Sequence, residues 1–338
     1  VDILLESRAF YPSVGGLEMM SRGLARTWQE KGHSVRIVTV TPLADEEEIG
    51  ELDVHRLPSS GEMRQQVQWA DVFVQNGVSL RSLHWPVLTG TPLVMVHQNL
   101  QEGGQSPLIR TQLRRGATFL GPNVVISTPV EDTIPGPSVR IPNTFRPIYD
   151  QIEERPVRGS ENRKGLLFVG RLVSVKGVDI AVEALRRLHP RGREISLTIC
   201  GDGPERSALE KQVKQAGLEN SVTFEGWTSP NRLAELYRRA EALLVPSRYE
   251  PFGIVALEAI ASGCPVIASG TGGLPEAVGD CGIIVEPDSP DALATATDKI
   301  LDPAVRQDIR SAMPAHVERH RMDRVATDYL HLLRRVVR

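Results

Sequence analysis

The 338-residue chain is poor in cysteine: Cys200, Cys264 and Cys281 are the whole supply. Three scattered thiols can build neither a disulfide framework nor a zinc site. Each lies among apolar neighbours, which reads as small core filler and favours a reducing compartment. No apolar run approaches the roughly 18 residues of a membrane span, and no secretory leader pattern is visible. The chain opens at Val1 and not at Met, which points to a few native residues preceding it. The expectation is a cytoplasmic protein. A one-sided charge is also missing, since the formal net charge is -3. Residues 1–150 carry 13 basic and 16 acidic side chains and the remainder 26 of each, so nothing suggests nucleic acid as a partner. The dinucleotide fingerprint G-x-G-x-x-G is absent. Gly15 and Gly16 stand about ten residues beyond the first strand, and "GDGPER" keeps only the first two glycines. No "GKS" or "GKT" accompanies a glycine-rich loop, so nucleotide hydrolysis is not favoured.

What is present is an α/β pattern. Hydrophobic residues make up 41% and charged residues 24% of the chain, values of a globular protein whose length suits two domains. In the first half, β-rich runs are expected at 2–6, 35–40, 53–57, 71–75, 92–97, 124–127 and 139–142. Between the first two, Leu17, Met20, Leu24 and Trp28 recur at helical spacing, with Gly32 as a stop. The second half repeats the theme, with strands at 166–170, 195–201, 222–226, 242–247, 265–269 and 282–286 and a helix at 204–217. Strand–helix–strand repetition implies parallel sheets covered on both faces. The polar segment 148–163 has neither period and reads as a linker. The prediction is two Rossmann-like domains with a cleft between them: 1–147, and 164–320. The last helix, within 321–338, carries Val325, Tyr329, Leu332, Leu333 and Val336 near one stripe and could pack on either domain.

Open parallel sheets bind ligands beyond the carboxyl ends of their strands. There the chain places "YPSVGG", "GRLVSVKG", "GDGPE", "SRYEPFGIVALEAIASG" and "GTGGLPE". In the second of these, Arg171 and Lys176 are bracketed by Gly170 and Gly177. An exposed pair of basic residues needs no function, yet at the binding edge it suits a diphosphate: Arg bridges two oxygens and Lys acts as a point charge. In the fourth, Ser247 and Glu250 have capping-box spacing, but Pro251 would then sit too deep in the helix. The helix is therefore expected to begin at or just after Pro251, leaving Glu250 in the loop. Glu258 stands among Ile254, Val255, Leu257 and Ile260, so it is expected to be buried and to need donors. Sugar hydroxyls are such donors. Between the two glutamates, roughly 10 Å apart along the axis, the amides of Phe252, Gly253 and Ile254 would face an anion. Hydroxyls, diphosphate, hydroxyls is the layout of a nucleotide sugar.

These motifs, taken in order, resemble retaining glycosyltransferases of family four, with the GT-B fold and the E-x7-E motif of Glu250 and Glu258. The resemblance runs over essentially the whole chain and includes "IPNTF" at 141–145. It implies hexose transfer from a nucleoside diphosphate sugar, UDP favoured and GDP the other option, with UDP-glucose among the candidates. The acceptor would be a saccharide or a lipid-linked hydroxyl, in polysaccharide or glycoconjugate synthesis. By resemblance, Glu250 holds donor-sugar hydroxyls, Glu258 holds the ribose, and Arg171 and Lys176 bind the diphosphate and stabilise the leaving group. Gly15 and Gly16 match the loop glycines near phosphate or acceptor. His97, ending the strand "LVMVH", matches a histidine on the donor sugar, although a lone His at a strand end is more often structural. Gly170 and Thr228 are counted with the donor-binding positions. The resemblance places 321–338 back on the first domain. Pro251 stands where many members have Gly. No D-x-D occurs, which fits an enzyme needing no metal and no cofactor beyond its donor.

Two other classes remain open: a nucleotide-sugar epimerase acting on UDP-GlcNAc, and an inactive sugar-nucleotide binding subunit. The intact charged motif set argues against the second. Arg110, Arg114 and Arg115 read most simply as a solvated helix face, and alternatively as a peripheral contact with anionic lipid at the inner membrane face.

Overall fold

The computed structural model describes residues 1–11, 15–42, 50–99, 108–150, 165–189 and 195–337, with the backbone alone at 108–110. The expected linker 148–163 lies, past residue 150, outside the described residues, as does the side chain of Arg110. The chain divides into two compact units, Val1–Thr144 together with the chain from Met322, and Phe145–Arg321.

The first unit contains β1 (Asp2–Ser7), α1 (Gly16–Glu30), β2 (Ser34–Thr39), β3 (Asp53–Arg56), α2 (Ser60–Trp69), β4 (Val72–Asn76), α3 (His84–Thr89), β5 (Leu93–His97), α4 (Leu108–Ala117), β6 (Asn123–Val125), α5 (Thr128–Glu131) and β7 (Ser138–Arg140). The second contains β8 (Leu166–Val169), α6 (Val178–Leu188), β9 (Leu197–Cys200), α7 (Arg206–Gln215), β10 (Val222–Gly226), α8 (Pro230–Arg239), β11 (Ala242–Val245), α9 (Ile254–Ala261), β12 (Val266–Ser269), α10 (Leu274–Val278), β13 (Gly282–Val285), α11 (Pro290–Ile300) and α12 (Pro303–His320). The final helix, α13 (Met322–Val336), returns to the first unit.

Among the described residues the first sheet is ordered β3-β2-β1-β4-β5-β6-β7 and the second β10-β9-β8-β11-β12-β13, with every pairing parallel. Chain order reverses between β1 and β4 in one sheet and between β8 and β11 in the other. Loops leaving these neighbours diverge to opposite faces and leave a crevice, the usual ligand site of such sheets.

Alternation along β1 divides the first unit's core. Ile3 and Leu5 pack with Met20, Leu24 and Trp28 of α1 and with Val325, Tyr329 and Leu333 of α13. Leu4 points the other way, to Met63, Val67, Phe73 and Met95. The apolar stripe expected on the last helix thus has its partner. Trp28 Nε1 donates to the Ala326 carbonyl at 3.1 Å, and the Trp28 and Tyr329 rings meet edge-on at 6.0 Å. All three cysteines are buried and reduced, in keeping with their apolar settings. No helix among the described residues is long and apolar enough to cross a membrane.

One local expectation is corrected. The helix carrying Glu258 begins at Ile254, not at or just after Pro251. Gly253 precedes it at φ +110°, a left-handed conformation that delays helical winding by three residues.

Candidate functional site

β8 and β11 are hydrogen-bonded neighbours, so the loops after them emerge side by side at the carboxyl edge of the second sheet. The first loop runs through Gly170 and Arg171 into a single 3-10 turn, Ser174–Lys176. The second runs from Pro246 to Gly253. Lys176 Nζ donates to Glu250 Oε2 at 2.5 Å, with side chains 26% and 13% exposed. Arg171 is exposed, and among the described residues no carboxylate pairs with it. At this pair of loops the Lys176 charge is compensated by Glu250, and Arg171 presents an exposed cation with no described carboxylate partner.

The Glu250 loop rests on the loop after β12. The Gly273 amide donates to the Glu250 carbonyl at 3.0 Å. A Cβ on Gly272 would lie 1.9 Å from that carbonyl oxygen, so only glycine lets the two backbones touch. The glycines of "GTGGLPE" therefore act through close packing beneath Glu250. The first amides of α9 rise from this bed. The helix geometry leaves them without intrahelical acceptors. The later helix start also revises the expected span: Glu258 is the fifth residue of α9, about 6 Å along the axis from its first, and the path from Glu250 to Ile254 is loop.

Glu258 is 6% exposed. Tyr237 OH donates to its Oε2 at 3.3 Å, long for an O–H···O bond, which prefers about 2.7–2.8 Å. No other described donor reaches it at hydrogen-bonding distance. Burial raises the carboxyl from the ordinary 4.5 to about 7, against the opposing pull of Arg146 and of the Tyr237 bond. The expectation of a buried, under-supplied carboxylate is met. Tyr237 itself went unrecognised in the sequence, where it reads as one more apolar residue on the inner face of α8. Its ring meets Tyr149 edge-on at 5.6 Å.

The remaining predicted positions are spread over both units. Phe252 is buried at 2% exposure with its ring 6.0 Å from His320, so only its backbone is offered to a ligand. Gly253 and Ile254 form the N-terminus of α9. Gly170 comes directly after β8. Thr228 lies just past edge strand β10, where its hydroxyl donates to the Gly226 carbonyl at 3.0 Å. Gly15 is the N-cap of α1 and Gly16 its first residue; residues 12–14 of the same loop lie outside the described residues. His97 closes β5, buried, with Nε2 2.8 Å from Asn123 Oδ1. Burial holds its imidazole below the ordinary range despite that bond. The structure thus brings Lys176, Glu250, Arg171 and Glu258 to one sheet edge of the second unit. Gly15, Gly16 and His97 belong to the first.

Two further groups were missed. Glu6 ends the run "ILLE" at the switch point of the first sheet; its Oε2 accepts from Gln75 Nε2 at 2.8 Å and Ser82 Oγ at 2.5 Å, and burial raises its carboxyl. A carboxylate closing an apolar strand was the available signal. Arg248, two residues before Glu250, joins several loops at the second sheet's edge. Nothing in its spelling marks it.

Comparison with known proteins bears on the second unit first. The family described as glycosyl transferases group 1 matches residues 150–313. The glycosyltransferase MJ1607 of Methanocaldococcus jannaschii is 40% identical over 149 residues, covering 44% of this chain and 38% of that protein. Alpha-D-kanosaminyltransferase of Streptomyces kanamyceticus is 36% identical over 158 residues, covering 46% and 41%. The matched part is thus about two fifths of the length of these relatives. Among solved structures, Alr3699/HepE of Anabaena in complex with UDP superposes with a TM-score of 0.83 at 20% identity, covering 99% of this chain and 100% of that one. That likeness shows the fold, which is GT-B.

Proposed function

We propose that the protein is a retaining glycosyltransferase moving a hexose from a nucleoside diphosphate sugar to a hydroxyl of a saccharide or lipid-linked acceptor. The observation that carries the reading is Lys176 set on Glu250 at the switch point of a parallel sheet, with Arg171 in the same loop and no carboxylate paired with it among the described residues. The similarity of residues 150–313 to the glycosyl transferases supports it. UDP is favoured as the nucleotide, a choice supported by the UDP complex of the Anabaena protein of the same fold.

In this reading the bond between the anomeric carbon and the diphosphate oxygen breaks as the acceptor oxygen bonds to the same face of that carbon. The acceptor proton passes to the departing phosphate oxygen. Negative charge grows on that oxygen, and the fixed cations Arg171 and Lys176 meet it; such preorganised charge is worth more in the transition state than in the ground state. No metal is required. Glu250 accepts from hydroxyls of the transferred sugar and Glu258 from those of the ribose. Phosphate also draws Lys176 away from Glu250, freeing that carboxylate for the sugar. Gly16 and His97 are the first unit's candidates for ligand contact. A peripheral contact with anionic lipid through α4 is part of the proposal: Arg115 is exposed there alongside Leu113, with Phe119 and Leu120 just beyond the helix.

A thermal-shift screen of UDP- and GDP-sugars tests the donor. At about 100 times its Kd, the true donor stabilises the fold by about 2.7 kcal/mol. Incubating that donor without acceptor then separates transfer from epimerisation, since an epimerised sugar in the donor-only sample refutes transfer. A screen in which no nucleotide sugar moves the transition removes the donor assignment.

A further inference from the structure

The three nitrogens of Arg248 are all engaged. Nη1 donates to the Ser174 carbonyl at 2.5 Å and to Asp179 Oδ1 at 3.0 Å. Nη2 donates to Asp179 Oδ2 at 2.7 Å, and Nε to Asp288 Oδ1 at 2.6 Å. The main chain takes part as well: the Arg248 amide donates to the Val175 carbonyl at 2.9 Å, and the Arg248 carbonyl accepts from Thr271 Oγ1 at 3.2 Å. One residue thereby ties the loops after β8, β11, β12 and β13, all at the same sheet edge. Asp288 is held at φ +54°, a conformation that Asp tolerates better than most residues. The two carboxylates keep the guanidinium charged well beyond any working pH.

The turn that Arg248 grips is the one that carries Lys176. Gly177 closes it at φ +68°, where a Cβ would lie 2.0 Å from the Pro246 carbonyl oxygen. The turn is thus pressed onto the segment that leads to Glu250. Lys176 and Glu250 issue from two different loops, and nothing in either loop alone sets the distance between them. A flexible lysine side chain gains a defined position only if its backbone is fixed relative to its partner.

We propose that Arg248 is the positioning residue of the anion site: it locks the Ser174–Lys176 turn to the Glu250 loop and so sets where the Lys176 ammonium meets a diphosphate. The ligand half of this inference rests on the donor reading above, and the geometric half does not. Arg248 touches no reacting atom. Its bidentate hold on Asp179, together with Nη1 on a carbonyl and Nε on Asp288, uses the planar fork of arginine, which lysine cannot reproduce.

Hydrogen exchange on Arg248→Gln, with Arg248→Lys alongside, reads the clamp without a ligand. Amides of Lys176 and Gly177 should exchange about tenfold faster or more in the Gln variant, while β8 and β11 keep their protection. Unchanged protection in the turn overturns the proposal, and so does a uniform loss that includes the strands. Calorimetry with UDP and uridine reads the consequence. UDP affinity should fall about tenfold in Arg248→Gln while uridine affinity holds, and Arg248→Gln should add little to Lys176→Ala in the double variant. Equal weakening of UDP and uridine assigns Arg248 a merely structural role and refutes positioning. If the wild-type protein binds UDP no better than uridine, the donor reading falls, and the exchange comparison still decides the clamp.

Discussion

Replacing Glu258 by Gln separates the fold's interest from the site's. The carboxyl titrates near 7 in the folded protein and near 4.5 when unfolded, because burial penalises its charged form. A folded-state value above the unfolded one means that the folded protein holds a proton the unfolded chain has released. The stability from this proton is fully present below about pH 4.5 and is lost as pH rises through about 7. The gap of about 2.5, at about 1.4 kcal/mol for each, takes about 3 kcal/mol from stability once titration is complete. Glutamine keeps an oxygen to accept from Tyr237 and has no charge to bury. Glu258→Gln should therefore gain on the wild type by about 2.5 kcal/mol between pH 5 and pH 8, then level off. Urea unfolding of both proteins at pH 5, 6, 7 and 8 measures the difference directly. A difference that stays flat with pH, or that moves against the variant, refutes the burial argument. Function should run the opposite way. The charged carboxylate is the better acceptor for ribose hydroxyls, so the ratio of wild-type to Glu258→Gln affinity for UDP should grow as pH rises through about 7, with the titration of UDP's own phosphate cancelling between the two proteins. A 2′,3′-dideoxy nucleotide should bind both proteins alike.

Arg171→Ala and Lys176→Ala should each lower turnover on the order of 10²–10³-fold while the protein stays folded, since each removes a fixed charge from the departing phosphate; near-normal turnover in steady-state assays removes the diphosphate assignment. Leu333→Ala on α13 should destabilise the first unit by about 2–5 kcal/mol in denaturant unfolding, because its side chain is fully buried against β1 and α1; a loss under about 0.5 kcal/mol, the range of surface changes, contradicts that packing. Vesicles rich in acidic lipid should carry the protein down on sedimentation, and Phe119→Ser should release it. Failure to sediment with such vesicles disposes of the lipid contact.

The layered fold was legible because its signals are local and repeated. Each βαβ unit restates strand period, helix period and a glycine stop, and errors at element ends leave the repeat intact. The candidate anion site was legible in part for the same reason: Arg171 stands directly after its strand, so the sheet carries it to the edge. The contact between Lys176 and Glu250 was not, because it joins residues 74 apart through β8 and β11. The Arg248 ties were hidden likewise. Their partners lie 69 and 40 residues away, in loops whose approach depends on strand order. Tyr237 was missed because a buried tyrosine and a buried phenylalanine give the same periodicity, and only the hydroxyl's target distinguishes them.

One four-residue spacing, compared at two of its places in the chain, shows what local reading can and cannot decide. Ser59 and Glu62 stand in S-x-x-E spacing and form a reciprocal cap on α2: the Glu62 amide donates to Ser59 Oγ, and the Ser59 amide donates to the Glu62 carboxylate at 2.7 Å. Ser247 and Glu250 have the same spacing and form none. The difference lies in the residues on the C-terminal side of each glutamate. After Glu62 the chain winds on as helix, whereas after Glu250 a proline without an amide hydrogen and a left-handed glycine keep it in a bent loop until Ile254. A capping glutamate spends its acceptor capacity first on its own helix. Released from that duty by Pro251 and Gly253, Glu250 is supported from below by Gly272 and Gly273 and met from the side by Lys176. The proline that argued against a cap in the sequence is therefore part of how this candidate site is made: by denying the helix its first turns, it leaves Glu250 in the loop, where Lys176 meets it.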